Sequence, residues 1–255
     1  MSTDPAVLGF LAHASEYYAD GATVFTGFHW PVLAAELAAR LRGDRFTHYF
    51  EAGVACGGQA RQLATSTTDY AAYHGSHGFS GAMADVLFGL APRFDLAVLD
   101  AGTVDMAGRV NATAVGDLAA PRVRLPGGGG AADIAGGARD LLLLHGGHDP
   151  RRLQRRVDHV TAAPGENTRV RLLTRWGLLR LGRRPYLLER FDTPGHTAFT
   201  EQLTHLGVAH EEAPWAAPVA PTALRAAERV LIDAAHRGYA VAARALATDK
   251  DTTHD

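Results

Sequence analysis

Apolar residues lie along the chain in short continuous runs that are separated by longer amphipathic segments. Leu96–Leu99 and Leu141–Leu144 are uninterrupted apolar runs of strand length. Such runs are typical of parallel strands that helices cover on both faces. Ala22–Thr26 and Phe46–Phe50 indicate two further strands. Because these runs alternate with helical segments, the pattern predicts an α/β fold with an open, mostly parallel sheet flanked by helices.

Two helix starts near the N-terminus carry capping signals. Asp4 before Pro5 is a typical N-cap with a first-turn proline, and it predicts a helix that runs to about Asp20, where a glycine follows. Pro31 predicts the start of a second helix over Val32–Leu41, in which leucine recurs at every fourth position.

The pattern changes in the last third of the chain. Val170–Thr174, Leu178–Leu181 and Tyr186–Phe191 predict a small strand meander instead of further crossover units. A segment rich in alanine and proline separates this meander from a final helix over about Thr222–Ala247. The polar tail 248–255 is predicted to fray.

Length and charge narrow the class of protein. The 255 residues, of which 47% are hydrophobic, can bury one large core. We expect a single domain over 1–255, with the α/β core at 1–168 and the meander and final helix at 169–255. The formal net charge of -2 provides no basic surface for nucleic acid or for an anionic membrane, so neither partner is expected.

Cysteine content and the N-terminal sequence bear on location. A single cysteine, Cys56, excludes an intramolecular disulfide framework and a Cys-rich zinc site. The N-terminal segment has no basic n-region, and no run of about 18 apolar residues occurs. We therefore expect a soluble cytoplasmic protein, with Cys56 as a small buried filler.

Glu51 is the first candidate for chemistry. It ends the apolar strand Phe46–Phe50 and is followed at once by the small residues Ala52 and Gly53. Core packing does not explain a carboxylate there, and small neighbours let a bulky acyl group approach it. The carboxyl ends of strands are also where α/β proteins usually bind their ligands. This placement predicts a nucleophile.

A glycine run, Gly127–Gly130, is the second candidate. It leads into an alanine-rich stretch from Ala131 that can open a helix. Consecutive glycines expose backbone N–H groups, and a helix start adds unpaired donors. The run predicts an anion or oxyanion cradle. A flexible loop and a degenerate dinucleotide fingerprint, Gly127-x-Gly129-x-x-Ala132, are alternatives, although no acidic residue is clearly placed about 20 residues further on.

Together with other segments, these two candidates resemble the beta subunit of class I coenzyme A transferases, of the glutaconate CoA-transferase branch. The matching segments occur in the family's order over about Ala22–Leu181. They are Thr26–Phe28, Glu51–Val54, Asp105–Thr113, Gly116–Asp117, Pro121–Arg124, Gly127–Ala135, Arg155–Thr161 and Pro164–Gly165. Residues 55–60, 74–81 and the C-terminal third depart from the glutaconate pattern.

The resemblance implies a mechanism and a partner. Glu51 occupies the position of a glutamate that attacks an acyl-CoA thioester and then carries CoA as a glutamyl thioester, so the exchange needs no ATP. Gly129, Gly130 and Ala131 match a turn beside that glutamate, and we place Gly53 and Gly128 with them as oxyanion or CoA-binding residues. CoA and acyl-CoA are then substrates, exchanged with a small carboxylic acid, and no cofactor is tightly bound. The expected partner is an alpha subunit of the same fold, in a heterodimer or heterotetramer.

Two other functions stay open on this scaffold. Glu51 could activate water, which would make the protein a CoA-thioester or carbon–carbon bond hydrolase. Alternatively, the chain could be a non-catalytic or repurposed subunit that binds acyl-CoA. In that case replacement of Glu51 by alanine would leave the activity of the complex intact.

Other polar residues have simpler explanations than chemistry. The pairs His74/His77 and His145/His148 have three-residue spacing in glycine-rich loops without a completing set of carboxylate ligands, so no metal site is expected. Ser80 lacks the second glycine of a nucleophile elbow, and Ser76 is not favoured either. The pair Arg155–Arg156 is most simply a solvated helix face, although it could meet CoA phosphates.

Overall fold

The computed structural model describes residues 3–43, 45–57, 63, 66, 69 and 77–247. This description does not include the side chains of Cys56 and His77, residues His74 and Ser76, or the tail 248–255. The predictions made for them stay predictions.

The strands, in chain order, are β1 Thr23–Thr26, β2 Thr47–Phe50, β3 Val54–Gly57, β4 His77–Ser80, β5 Leu96–Asp100, β6 Thr103–Asp105, β7 Val110–Asn111, β8 Ala114–Val115, β9 Val123–Arg124, β10 Asp140–His145, β11 Leu153–Gln154, β12 Arg169–Thr174, β13 Gly177–Arg180 and β14 Tyr186–Arg190.

The described helices include α-helices and shorter turns. The α-helices are α1 Pro5–Ser15, α2 Trp30–Arg42, α3 Ala131–Gly137, α4 His196–Leu206, α5 Pro221–His236 and α6 Ala240–Leu246. A π-helix covers Asp85–Leu90, and two 3-10 helices cover Ala91–Arg93 and Pro150–Arg152.

A nine-stranded sheet forms the centre of the fold, in the order β14-β13-β12-β10-β5-β1-β2-β3-β4. Its five central strands, from β12 to β2, pair in parallel, so their carboxyl ends lie at one edge. From β1 the chain moves first to β2 on one side and later to β5 on the other side. The strand order therefore reverses between β1 and β5, where open α/β sheets form a crevice.

Alternate residues of the central strands point to two separate cores. On what we call the first face, Val98 and Leu142 pack with α1, α2, α5 and α6. On the second face, Leu99 and Leu143 pack with α3, α4 and the π-helix. These four side chains are at most 6% exposed, as expected of strands covered on both sides. The predicted α/β fold with an open sheet flanked by helices is confirmed.

The sheet differs from the prediction at its two ends. β3 and β4 add an antiparallel extension beside β2, which the sequence analysis did not predict. At the other end, β12 pairs in parallel with β10 and is therefore a crossover strand, whereas β13 and β14 form the antiparallel meander. The sheet is thus parallel at the centre and antiparallel at both ends.

Helix α1 is shorter than predicted. The first helix has its predicted N-cap, in which Asp4 accepts from Ala6 N, but it ends at Ser15 instead of Asp20. The Arg42 guanidinium binds the carbonyl groups of Ser15 and Tyr18 there, so these acceptors are satisfied outside a helix.

The C-terminal helices also differ. The predicted final helix is two helices, α5 and α6, because the chain turns at Gly238, whose φ is 84°. Helix α4 was not predicted, although Phe199, Leu203 and Leu206 carry its apolar periodicity and are all buried. In the part of the chain that the structure describes, no helix combines the length and apolarity needed to cross a membrane.

Candidate functional site

Glu51 lies directly after β2, in the tight turn that connects β2 to β3. The Gly53 N–H closes this turn by donating to the Phe50 carbonyl over 3.1 Å. Gly53 has a φ of 93°, which disfavours any residue with a side chain. The Glu51 side chain is half-buried. The turn therefore directs a carboxylate beyond the carboxyl edge of the sheet, as predicted from the sequence.

The glycine run meets Glu51 at this edge. The Gly130 N–H donates to Glu51 Oε2 over 3.1 Å, across 79 residues of sequence. A Cβ atom at Gly129 would lie 3.1 Å from the same oxygen, and one at Gly130 would lie 3.2 Å from it. Glycine at both positions therefore lets the backbone approach the carboxylate as closely as it does.

The remaining predicted residues of the run have different contacts. Ala131 begins α3, and its N–H donates to the Gly128 carbonyl over 2.9 Å. A Cβ at Gly128 would lie 2.7 Å from Thr161 Cγ2, and one at Gly53 would overlap the Gly81 carbonyl oxygen. Close packing accounts for glycine at these two positions, and their predicted contacts with CoA stay predictions.

Hydrogen bonds hold the segment that precedes the glycine run. Thr161 Oγ1 accepts from the Ala112 N–H over 2.8 Å and lies 2.6 Å from Thr113 Oγ1. Asn111 is buried, and its Oδ1 accepts from the Thr113 N–H over 2.9 Å. The Ala112 carbonyl in turn accepts from Gly127 N–H over 2.7 Å. These hydrogen bonds therefore fix the start of the glycine run, at Gly127, before the run reaches its contact with Glu51.

Asp105 is a buried carboxylate in the segment that leads to Asn111, and it pairs with a half-buried arginine. Asp105 is 0% exposed and accepts hydrogen bonds from the backbone N–H groups of Ala107, Arg109 and Val157. Its Oδ2 also lies 2.7 Å from Arg109 Nη2. A buried carboxylate needs such a set of donors. We assign Asp105 a structural role, which the sequence analysis did not identify.

Leu87 is a second contact that the sequence analysis missed. It lies on the π-helix, and a Cβ at Gly130 would approach its Cδ2 to 2.6 Å. Leu87 thus packs over the turn that binds Glu51. Two neighbours, Met83 and Phe88, are 49% and 68% exposed. Exposed apolar side chains therefore lie close to Leu87 along the chain.

The competing predictions have clear outcomes where they fall on described residues. His145 is buried, its Nδ1 lies 2.9 Å from the Ala101 carbonyl oxygen, and burial lowers its pKa. Among the described residues, no three His, Cys, Asp or Glu side chains cluster as metal ligands would. Ser80 is exposed at the end of β4. The helix predicted at Arg155–Arg156 is wrong, because a bend follows β11 there.

Comparison with known proteins gives a consistent result. The coenzyme A transferase family matches residues 11–171. Two curated relatives are the B subunits of other CoA-transferases. That of the 3-oxoadipate enzyme of Pseudomonas knackmussii is 31% identical over 137 residues, which are 49% of this chain and 48% of that protein. That of the glutaconate enzyme of Acidaminococcus fermentans is 34% identical over 70 residues, 28% of this chain and 25% of that protein. The matched region spans about half, or less, of the length of these relatives.

Solved structures share the fold. The decarboxylase AibA/AibB superposes with a TM-score of 0.72 at 23% identity, covering 89% of this chain and 94% of that one. The glutaconate coenzyme A-transferase of Acidaminococcus fermentans also gives a TM-score of 0.72, at 20% identity, covering 86% of this chain and 92% of that one. At these identities the likeness concerns the architecture alone.

Proposed function

The chain belongs to the coenzyme A transferase family, and from this premise we propose that it is the beta subunit of a class I CoA-transferase with Glu51 as its nucleophile. The observation that carries the proposal is the contact between Glu51 Oε2 and the Gly130 N–H at 3.1 Å. A backbone donor aimed at a carboxylate oxygen suits a group that becomes part of an oxyanion during the reaction.

The proposed reaction starts with attack of a Glu51 oxygen on the carbonyl carbon of an acyl-CoA thioester. The carbon–sulfur bond breaks, which leaves an acyl-glutamyl anhydride and CoA thiolate. The thiolate then attacks the Glu51 carbonyl carbon, releases the acyl group as a carboxylate and forms a glutamyl-CoA thioester. The same steps in reverse pass CoA to a second carboxylate. No proton, metal ion or nucleotide is consumed, and CoA enters as a substrate.

Each step passes through a tetrahedral oxyanion. A preorganised backbone donor contributes about 2.7–4 kcal/mol to such a step when it points at the developing charge. Gly130 is buried and its N–H binds Glu51 Oε2, so it is placed to stabilise that oxygen when attack of the thiolate on the Glu51 carbonyl carbon makes it the oxyanion. Gly129 and Ala131 flank this donor, and we place the thioester beside them.

We propose an alpha subunit as partner and a small dicarboxylic acid as one substrate. The curated relatives are named as B subunits, and 3-oxoadipate and glutaconate are both dicarboxylic acids. The exposed side chains of Met83 and Phe88, next to Leu87, support a partner that covers this side of the site. A heterodimer or heterotetramer would then complete the enzyme.

Chemical trapping of Glu51 tests the proposal. The chain is coexpressed with its alpha subunit, incubated with a panel of acyl-CoA thioesters and treated with borohydride, which reduces a glutamyl thioester to an alcohol. We expect a loss of mass confined to the peptide that contains Glu51, and no change in Glu51→Gln. Glu166→Gln, at an exposed glutamate, is the matched control and should be trapped like the wild type.

Two other results would contradict the proposal. Turnover of acyl-CoA to free acid and CoA without a trapped adduct would indicate a hydrolase. Full activity of Glu51→Gln would indicate that Glu51 is not the nucleophile and would favour a subunit that only binds acyl-CoA.

A further inference from the structure

His29 has an unusual backbone conformation. Its φ and ψ are 64° and -116°, and among the described residues it alone combines a positive φ with a side chain. This region of backbone space suits glycine, and a residue with a Cβ atom is strained there. Strain of this kind is retained where the side chain has a use that glycine cannot supply. The residue lies between β1 and the first residue of α2.

The His29 ring is held by an acidic partner. Its Nδ1 lies 3.1 Å from Asp100 Oδ2, and the two side chains are 37% and 29% exposed. An ionised carboxylate only accepts hydrogen bonds, so Nδ1 carries the proton in this pair. The ring also packs on Phe28, with 4.6 Å between the ring centroids. Asp100 and Phe28 therefore fix the ring, and Nε2 is the nitrogen that remains for a ligand.

The pair occupies the reversal point of the strand order. His29 follows β1 and Asp100 ends β5, which are the two strands between which the order reverses. Ligands of open α/β sheets bind in the crevice beyond this point. Glu51 follows β2, which pairs in parallel with β1. His29 and Glu51 therefore follow adjacent strands at the same edge of the sheet.

We propose that His29, oriented by Asp100, binds the carboxylate of the acid substrate that does not react with CoA. The inference rests on the proposed function, because it assigns a specificity-determining contact to the same substrate. With an anion at Nε2 both ring nitrogens donate, so the ring binds as an imidazolium between two carboxylates. A charge-assisted hydrogen bond of this kind selects an acid with a second carboxylate over an acid with an alkyl end.

The test compares two acids of equal length, glutarate and valerate, which differ by one carboxylate. Their dissociation constants are measured by ligand-observed NMR on the chain in complex with its alpha subunit, without acyl-CoA. We expect glutarate to bind about tenfold more tightly than valerate. His29→Gln, which keeps the strained backbone but removes the ring, and His29→Gly, which relieves the strain, should both abolish this difference. Asp100→Asn should reduce it.

Stability separates a substrate contact from a structural one. His29→Gly should raise the melting temperature or leave it unchanged, since glycine adopts this conformation without strain. A structural role for the His29–Asp100 pair predicts a lower melting temperature instead. His13→Gln is the matched control, because His13 also faces a carboxylate, Glu16, at 3.9 Å but lies in the regular helix α1. It should retain the preference for glutarate.

Equal affinities of the wild type for the two acids, or a preference that survives both His29 variants, would overturn the inference. Binding is measured without turnover, so the two proposals can fail separately. A trapped Glu51 adduct without preference for glutarate overturns only the role of His29. A preference for glutarate that depends on His29, without any adduct, overturns only the proposed reaction.

Discussion

Two polar side chains on or next to β2 have different surroundings: His48 lies within the strand, and Glu51 lies directly after it. On the first face, His48 is 5% exposed between Phe46 and Phe50, and neither ring nitrogen has a hydrogen-bond partner among the residues that the structure describes. Just beyond the strand, Glu51 is half-buried and receives the Gly130 N–H. The first face accommodates a polar residue as a neutral filler. At the carboxyl edge, by contrast, the Glu51 carboxylate has a backbone donor.

The largest effect is expected from Gly130→Ala, which changes the contact between the glycine run and the Glu51 carboxylate. The φ and ψ of Gly130, -78° and 6°, are acceptable for alanine, so the new methyl group acts only through its contacts. It would lie 3.2 Å from Glu51 Oε2 and 2.6 Å from Leu87 Cδ2. The leucine can turn aside, and the carboxylate has to move by a few tenths of an ångström. Misplacement of a reacting group by about 1 Å lowers turnover by roughly 100-fold, so for this smaller shift we expect a loss of roughly tenfold. Steady-state kinetics of the complex measure this loss.

Gly136→Ala is the matched control for that variant. Gly136 lies in α3, the helix for which Gly130 is the N-cap residue, and no atom would meet its added Cβ within 4 Å. Alanine inside a helix is more stable than glycine by roughly 0.5–1 kcal/mol. We expect a small gain in stability and unchanged turnover. Similar kinetics for Gly130→Ala and Gly136→Ala would show that the approach of Gly130 to Glu51 has no role in catalysis.

The sequence predicted the two halves of the candidate site but not all that surrounds them. Glu51 was identified because a carboxylate at the end of an apolar strand has no packing explanation, and Gly127–Gly130 because consecutive glycines expose backbone donors. The resemblance to a family predicted that these two segments lie side by side, although 79 residues separate Glu51 from Gly130 in the sequence. His29 carried no such signal, because its strain and its pairing with Asp100 exist only in the folded chain.

In the fold, too, the features set by neighbouring residues were predicted, and those set by residues distant in the sequence were not. Strands such as β5 and β10 were predicted because continuous apolar runs report burial on both faces. The end of α1 was not, since Arg42, 27 residues away, supplies the donors that replace the next helical turn. The antiparallel strands β3 and β4 were missed because the pairing of β3 with β2 and of β4 with β3 depends on a tertiary register and not on a local pattern.

A smaller effect is expected on the first face, from His48. Burial lowers the pKa of His48 to about 4 in the folded protein, whereas an unfolded histidine titrates near 6.5. As pH falls below 6.5 the unfolded state takes up a proton before the folded state does. The free energy of unfolding therefore decreases by up to about 1.4 kcal/mol per pH unit, which amounts to about 1.6 kcal/mol between pH 6.5 and pH 5.

Urea denaturation at pH 7.5, 6.5 and 5 measures this effect by comparison with His48→Leu. Between pH 7.5 and pH 5 the free energy of unfolding should decrease less in the leucine variant than in the wild type, because leucine does not titrate. The difference between the two decreases is the contribution of His48. His145 and His196 also have lowered pKa values, through burial. They are present in both proteins, so the difference between the two isolates His48. Parallel pH dependences would mean that His48 is not buried as a neutral ring.

The smallest effect is expected at the solvent side of the first face, where Arg40 joins α2 to α5. Its Nη2 lies 2.7 Å from Asp233 Oδ2, and the Asp233 side chain is 49% exposed. Exposed ion pairs contribute only about 0.2–1 kcal/mol, since water screens them and ordering two side chains opposes them. Asp233→Asn should therefore lower the free energy of unfolding by less than about 1 kcal/mol, while Arg40 keeps its contact with Glu36 at 2.7 Å.

Urea denaturation measures this difference between the wild type and Asp233→Asn. It should be present in low salt and absent in 1 M salt, where the Debye length is about 3 Å. A larger loss that persists in 1 M salt would mean that the junction of α2 and α5 depends on this carboxylate for more than its charge.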